Sequence, residues 1–323
     1  MARPIKIPEQ HLERVRRLEG ILATAAESGD LTRAKVALND LKPILERFHH
    51  HHRIHEAYLK LYEAALEAWD LLTAKQGFQF VRRETKKNTR LYLEATVLLA
   101  VAHLRSNDLF SAEPLMAEAL RNEEVITSKT QRDIFRCEAI DRFDQEGALA
   151  AMAKMHPEVM HEAEVHHNAL QVLRKGLNEE DIQEVLGSQV PQQVKDFILK
   201  VDMLSRKLLP HETKLLLPCS ADVVKNRNIA QIIFLGVKRK LYKCVCDEDS
   251  ETYKAWIRGG LNTICSEGYV ASSVVAVLAD LKIFIPAVSV GLTALLMQKG
   301  ITNFCAANKP KRLMDLRRKG AGR

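Results

Sequence analysis

Glycine and proline are scarce in this chain of 323 residues, at 14 and 10. Their scarcity leaves no glycine-rich loop to cradle a phosphate: Gly259-Gly260 stands alone and no Gly-Lys-Ser/Thr occurs, which argues against the common nucleotide-binding loops. Ser266-Glu267-Gly268 does not form a nucleophile elbow. The six cysteines (Cys137, Cys219, Cys244, Cys246, Cys265, Cys305) show no framework spacing, and Cys244-x-Cys246 lacks the second pair that a zinc ribbon needs. The opening Met-Ala-Arg-Pro-Ile-Lys has no apolar secretion signal. Free thiols in a reducing, cytoplasmic compartment are therefore expected.

The remaining polar clusters carry little chemistry. Histidines 49–52 and His55 are the most conspicuous, and His51 and His55 share a helical face at i,i+4, a spacing that suits a transition metal. No glutamate follows in the pattern of a zinc hydrolase, so the run reads as a solvated hairpin end. His161, His166 and His167 scatter around a helix. Glu123-Glu124 and Glu179-Glu180-Asp181 read as helix starts in solvent rather than acid–base pairs. No enzyme, cofactor or metal is expected.

What is present favours helix. Apolar residues make up 46% of the chain, enough for a core, and Ala, Leu, Glu, Lys and Arg are abundant. The net charge of +7 is concentrated at one end. Residues 309–323 hold seven basic residues against the single acid Asp315, so the body is nearly neutral and offers no extended nucleic-acid surface. Within this basic tail Lys309, Lys311, Arg312, Arg317, Arg318 and Lys319 are the candidate contacts to phosphates of lipid or nucleic acid. No aromatics interleave them, so bases have no stacking platform.

The first half of the chain reads as consecutive helical hairpins. Ser28-Gly-Asp30 breaks a helical pattern over residues 9–28, and Asp30 is placed to cap the helix that resumes at Leu31. The clearest unit is residues 93–121. There Leu99-Ala100, His103, the turn Ser106-Asn-Asp108-Leu109, Ala112, Met116 and Ala119 fall at fixed spacings. Small residues at Ala100, Ala112 and Ala119 let two antiparallel helices approach, and Leu99, Leu115 and Met116 fill the space between. This unit resembles a tetratricopeptide repeat, with His103 and Met116 standing where that family usually has aromatics. A weaker copy precedes it (Gly29-Asp30-Leu31, Ala34, Leu38, Leu41), and another is expected at Asp144-Gln-Glu-Gly147, Ala148 and Met152. A helix over Ile54–Lys75 is expected between them. The resemblance covers roughly residues 10–155 and implies a surface that binds peptides or protein partners.

Helices continue through 157–209, with a helix start at Asn178-Glu-Glu-Asp181 and a core stripe of Val194, Phe197, Ile198, Val201 and Leu204. Leu209-Pro210 and Leu217-Pro218 place a boundary near 205–225. Residues 229–246 read as helix. The organisation expected is thus a repeat domain over 1–210, a helical domain over 211–308 and a basic tail over 309–323. Within the second domain an apolar helical hairpin spans 269–304. Its arms, Tyr269–Ala279 and Ile283–Met297, are eleven and fifteen residues long. At about 1.5 Å per residue the longer reaches only about 22 Å, short of a bilayer core of about 30 Å, so a buried hairpin is favoured over an inserted one. The fold expected is all-α: a degenerate tetratricopeptide-like superhelix followed by a small helical domain. The function expected is a protein-interaction scaffold. Conditional membrane association through 269–304 is the alternative, and nucleic-acid association through the tail is a weaker one.

Overall fold

In a computed structural model that describes residues 4–207, 209–266, 268–309 and 311–314, every element among the described residues is helical. The chain divides into two compact units. The first holds Met1–Ala139 with short stretches at 207–209 and 311–314, and the second holds Ile140–Arg206 and Pro210–Pro310.

The first unit is built from three successive hairpins: α1 (Glu9–Ser28) with α2 (Leu31–Arg47), α3 (His51–Glu67) with α4 (Leu71–Glu84), and α5 (Arg90–Arg105) with α6 (Leu109–Arg121). One turn chemistry closes all three. A residue in the left-handed region comes first: Gly29 at φ 71°, Trp69 at φ 61° and Asn107 at φ 57°. An aspartate follows, whose amide reaches back five residues to the carbonyl of Ala25, Ala65 or His103 at 2.9–3.0 Å. That bond satisfies a carbonyl at the helix end. The carboxylates of Asp30, Asp70 and Asp108 then accept from the amides of Arg33, Thr73 and Ser111 at 2.9, 3.2 and 3.0 Å, capping the second helix. Leu31, Leu71 and Leu109 come next in each case.

Behind the turns the same positions repeat. Ala34, Ala74 and Ala112, four residues past each aspartate, have no exposed surface. Leu38, Phe78 and Met116 are buried four residues further on, then Leu41, Val81 and Ala119. Small residues at the first of these positions let the paired helices close, and the larger ones fill the layer beneath. At Gly77 the approach is tighter still, since a Cβ there would lie 2.0 Å from the Tyr62 ring. Helix α3 packs on α1 and α2, and α5 packs on α3 and α4. As the innermost member, α5 is buried around most of its circumference, from Leu91 to Ala102.

Two expectations are corrected here. The helix expected over Ile54–Lys75 is two helices separated at Trp69-Asp70, so the 78 residues between Ala34 and Ala112 split 40 and 38 around Ala74. The copy expected at Asp144–Gly147 is no turn. Helix α7 runs unbroken from Lys129 to Met152 through it, and Asp144, Gln145 and Glu146 are buried.

From Ile140 onward α7 belongs to the second unit, followed by α8 (Glu162–Arg174), α9 (Glu179–Ser188), α10 (Gln192–Arg206), α11 (His211–Leu215), α12 (Ser220–Val223), α13 (Asn226–Cys246), α14 (Glu251–Ser266), α15 (Tyr269–Asp280), α16 (Pro286–Lys299) and α17 (Ile301–Ala307). Asn178 and Asp181 form a reciprocal capping box at the start of α9. Helix α14 kinks at Gly260, at φ 76°. The arms α15 and α16 of the apolar hairpin pack on each other, with α13, α14 and α8 against the first arm and α8 and α9 against the second. Val270, Val274, Leu278, Val288, Leu292 and Leu295 on these arms are buried. The hydroxyl of Ser273 on this apolar arm is satisfied by Thr252 at 2.7 Å. The turn at Lys282, φ 60°, leaves Asp280 facing solvent beside Lys240. Helices α9 and α13 meet at Gly187, where a Cβ would lie 1.9 Å from the Asn226 carbonyl oxygen.

Candidate functional site

Most charged groups singled out in the sequence serve the fold. The Glu123 carboxylate accepts two bonds from the Arg136 guanidinium, at 3.0 and 2.5 Å. Glu179 and Asp181 sit in the first turn of α9, where the helix dipole favours acids, and Glu179 also pairs with Lys299. In the histidine run, His49 takes the left-handed φ of 58° between α2 and α3. The His50 ring lies 2.8 Å from the Ile5 carbonyl, and His52 pairs with Glu56 at 3.3 Å. Burial lowers the His55 pKa, which favours its neutral form. Among the described residues no group of three or more His, Cys, Asp or Glu is arranged to hold a metal.

The cysteines depart from expectation at one pair. Cys246, at the end of α13, is bonded to Cys305 on α17 across a Cα–Cα separation of 5.6 Å, within the usual range for a disulfide. Cys219 and Cys244 are free, and burial raises the Cys244 thiol.

A buried polar group in the second unit had no counterpart in the sequence reading. The fully buried Asp202 on α10 accepts from the Arg206 Nε at 2.7 Å, and Arg206 also donates to the Pro218 carbonyl. Burial, then the charges of Asp202 and Asp141, push the Asp144 carboxyl well above the usual range, against the opposing pull of Arg206. Among the described residues, one Asp144 oxygen and one Asp202 oxygen have no hydrogen-bond donor. Elsewhere in this unit a cavity of about 330 Å³ lies among α8, α9 and α16, with apolar walls and the amides of Asn168 and Gln189 at its edge.

The basic tail divides. Lys309 and Lys311 are exposed, and Arg317, Arg318 and Lys319 lie outside the described residues. Arg312 instead turns into the first unit, where its Nε donates to the fully buried Glu63 of α3 at 2.8 Å. The next amide, that of Leu313, donates to the other Glu63 oxygen at 2.5 Å.

Exposed apolar side chains in the first unit fall at related places. Leu72 and Phe110, 66% and 91% exposed, each stand two residues past the capping aspartate of successive hairpins, where the first hairpin has Thr32. Val36 on α2, 60% exposed, adds a third apolar residue. An aromatic ring left in water gives up its burial energy, on the order of 2–3 kcal/mol. Nothing in the capping geometry requires an apolar residue there, because the second position past the cap points away from the hairpin interior. No helix among the described residues is long and apolar enough to cross a membrane. Comparison of the chain with protein-family models, with curated proteins and with solved structures gives no match in any of the three.

Proposed function

We propose that this chain is a protein-interaction scaffold whose first unit is a tetratricopeptide-like array. The observation that supports this reading most directly is the recurrence of exposed Leu72 and Phe110 at one position of successive hairpins. A repeated position presents side chains in a row, and an aromatic with an aliphatic neighbour is the anchor composition of protein interfaces. The shared αL–Asp–Leu turns and the alanines behind them support kinship with the repeat family, although the interval of 38–40 residues between capping aspartates exceeds that family's 34. The second unit serves in this reading as a further attachment or effector body.

The test is partner capture followed by reconstitution. Partners crosslinked to the chain in its native host are identified, purified and titrated against wild type and Leu72→Asp/Phe110→Asp. A desolvated aspartate at an anchor position is expected to weaken binding at least ~30-fold, from about 2 kcal/mol per lost anchor. Unchanged affinity, with the melting curve intact, would sink the proposal for this surface.

A further inference from the structure

Glu63 has no exposed surface, yet it carries a carboxylate on a helix whose other buried residues are apolar. A buried carboxylate is tolerated only when paired and hydrogen-bonded. Both of its oxygens are used by the same two consecutive residues, 249 and 250 positions away: Arg312 through its guanidinium and Leu313 through its main-chain amide. Leu313 and Met314 are themselves 8% and 3% exposed, so the segment inserts two apolar side chains beside its charged contact. Residues 311–314 carry no helix and bend at Leu313, and Lys309 and Lys311 are exposed. One side-chain contact, one main-chain contact and two apolar anchors are together the kinds of contact by which a folded surface reads a short peptide.

We propose that the face of α3 around Glu63 is a peptide-docking site, filled in cis by residues 311–314, and that its ligand in trans is a non-helical segment with arginine followed by two apolar residues. The guanidinium supplies the charge that Glu63 requires, and a main-chain donor at the next position fixes the register. A segment tethered to its own site competes at an effective concentration of about millimolar. It therefore masks the site against weak ligands and yields to a stronger or locally concentrated one. The inference deepens the scaffold reading by giving a second surface of the first unit a ligand class. It does not depend on Leu72 or Phe110, so each can fail alone.

The experiment uses the full chain and a fluorescent peptide with the sequence of residues 308–316, Asn-Lys-Pro-Lys-Arg-Leu-Met-Asp-Leu. Binding is followed by anisotropy for wild type, for Arg312→Ala/Leu313→Asp, which empties the site, and for that double variant with Glu63→Gln added. The emptied form is expected to bind at least ~10-fold more tightly than wild type, in which the tethered segment competes. Adding Glu63→Gln should reverse that gain, and a peptide with glutamate in place of its arginine should not bind. An emptied form that melts like wild type but binds no better overturns the proposal, as does a gain that survives Glu63→Gln. Should the emptied form fail to fold, wild type decides. Millimolar unlabelled peptide must then speed hydrogen exchange at the Leu313 amide severalfold, and unchanged exchange overturns the proposal.

Discussion

Replacing Gly187 with alanine is expected to force α9 away from α13. The added methyl would lie 1.9 Å from the Asn226 carbonyl oxygen, 2.4 Å from the carbonyl carbon and 2.6 Å from the Cα. All three atoms are backbone, so no rotamer change relieves the clash. Carbon–oxygen contact normally begins near about 3.3 Å, which requires the helices to part by about 1.4 Å there. Separation also stretches the bond that ties the start of α13 to α9, from Asn226 to Glu184 at 2.7 Å. Overpacking of this kind costs about 1–3 kcal/mol, more where backbone must move, while removing a helical glycine returns about 0.5–1 kcal/mol. The net loss should be about 2 kcal/mol. Gly20 on α1 is the matched control: a Cβ there meets nothing within 4 Å, so Gly20→Ala should gain the helix term alone, about 0.5–1 kcal/mol. Urea unfolding read by tryptophan fluorescence separates the two, because Trp69 lies in the first unit and Trp256 in the second. Single-tryptophan forms, Trp69→Phe and Trp256→Phe, report each unit alone. A Trp256 transition unmoved by Gly187→Ala, or moved to higher urea, would refute the close approach of α9 and α13.

Ala74→Leu should overpack the second hairpin by about 1–3 kcal/mol, as Ala112→Leu should the third; a neutral urea midpoint for Ala74→Leu would remove Ala74 from the set of equivalent positions. Asp144 keeps its proton in the folded chain at pH values where an unfolded aspartate has lost it. Its contribution is therefore complete below the ordinary carboxylate range near 4 and is lost as pH rises toward its elevated folded value. Asp144→Asn, neutral throughout, should flatten the stability–pH curve above that range, and parallel curves for the two proteins would refute the assignment. Cys305→Ser opens a loop with a sequence separation of 59 and should lower stability of the second unit by about 4 kcal/mol in the chain-entropy account; equal urea midpoints for oxidised and reduced wild type would contradict it.

Much of this architecture can be read from local pattern. Asp30 as a cap, the stripe Val194, Phe197, Ile198, Val201 and Leu204, of which Phe197 and Leu204 are half-buried and the rest buried, and the helix through Ile229–Cys246 all follow from spacing within a turn or two. The middle hairpin escapes because its left-handed residue is Trp69, a bulky side chain in a region that sterics reserve mainly for glycine and asparagine. The dipeptide Asp70-Leu71, shared with Asp30-Leu31 and Asp108-Leu109, was the signal available. Asp144-Gln-Glu-Gly147 misleads for the opposite reason: its residues look like a surface turn, and only packing elsewhere in the second unit buries them. In the tail, net charge said nothing of Arg312's partner, because Glu63 is one of many glutamates until the fold brings the two together. Cysteine pairing likewise depends on distances that spacing does not encode.

The contact between Glu63 and Arg312 also sets an order of assembly on the ribosome. Translation proceeds at about 5–20 residues per second, so the 249 residues separating the pair take roughly 10–50 s to emerge. All residues of the three hairpins have been made well before then, so until Arg312 and Leu313 follow, Glu63 lacks the two donors it has in the full chain. A nascent polypeptide thus passes through a window in which its earliest helices carry an unmet demand for an arginine-bearing segment.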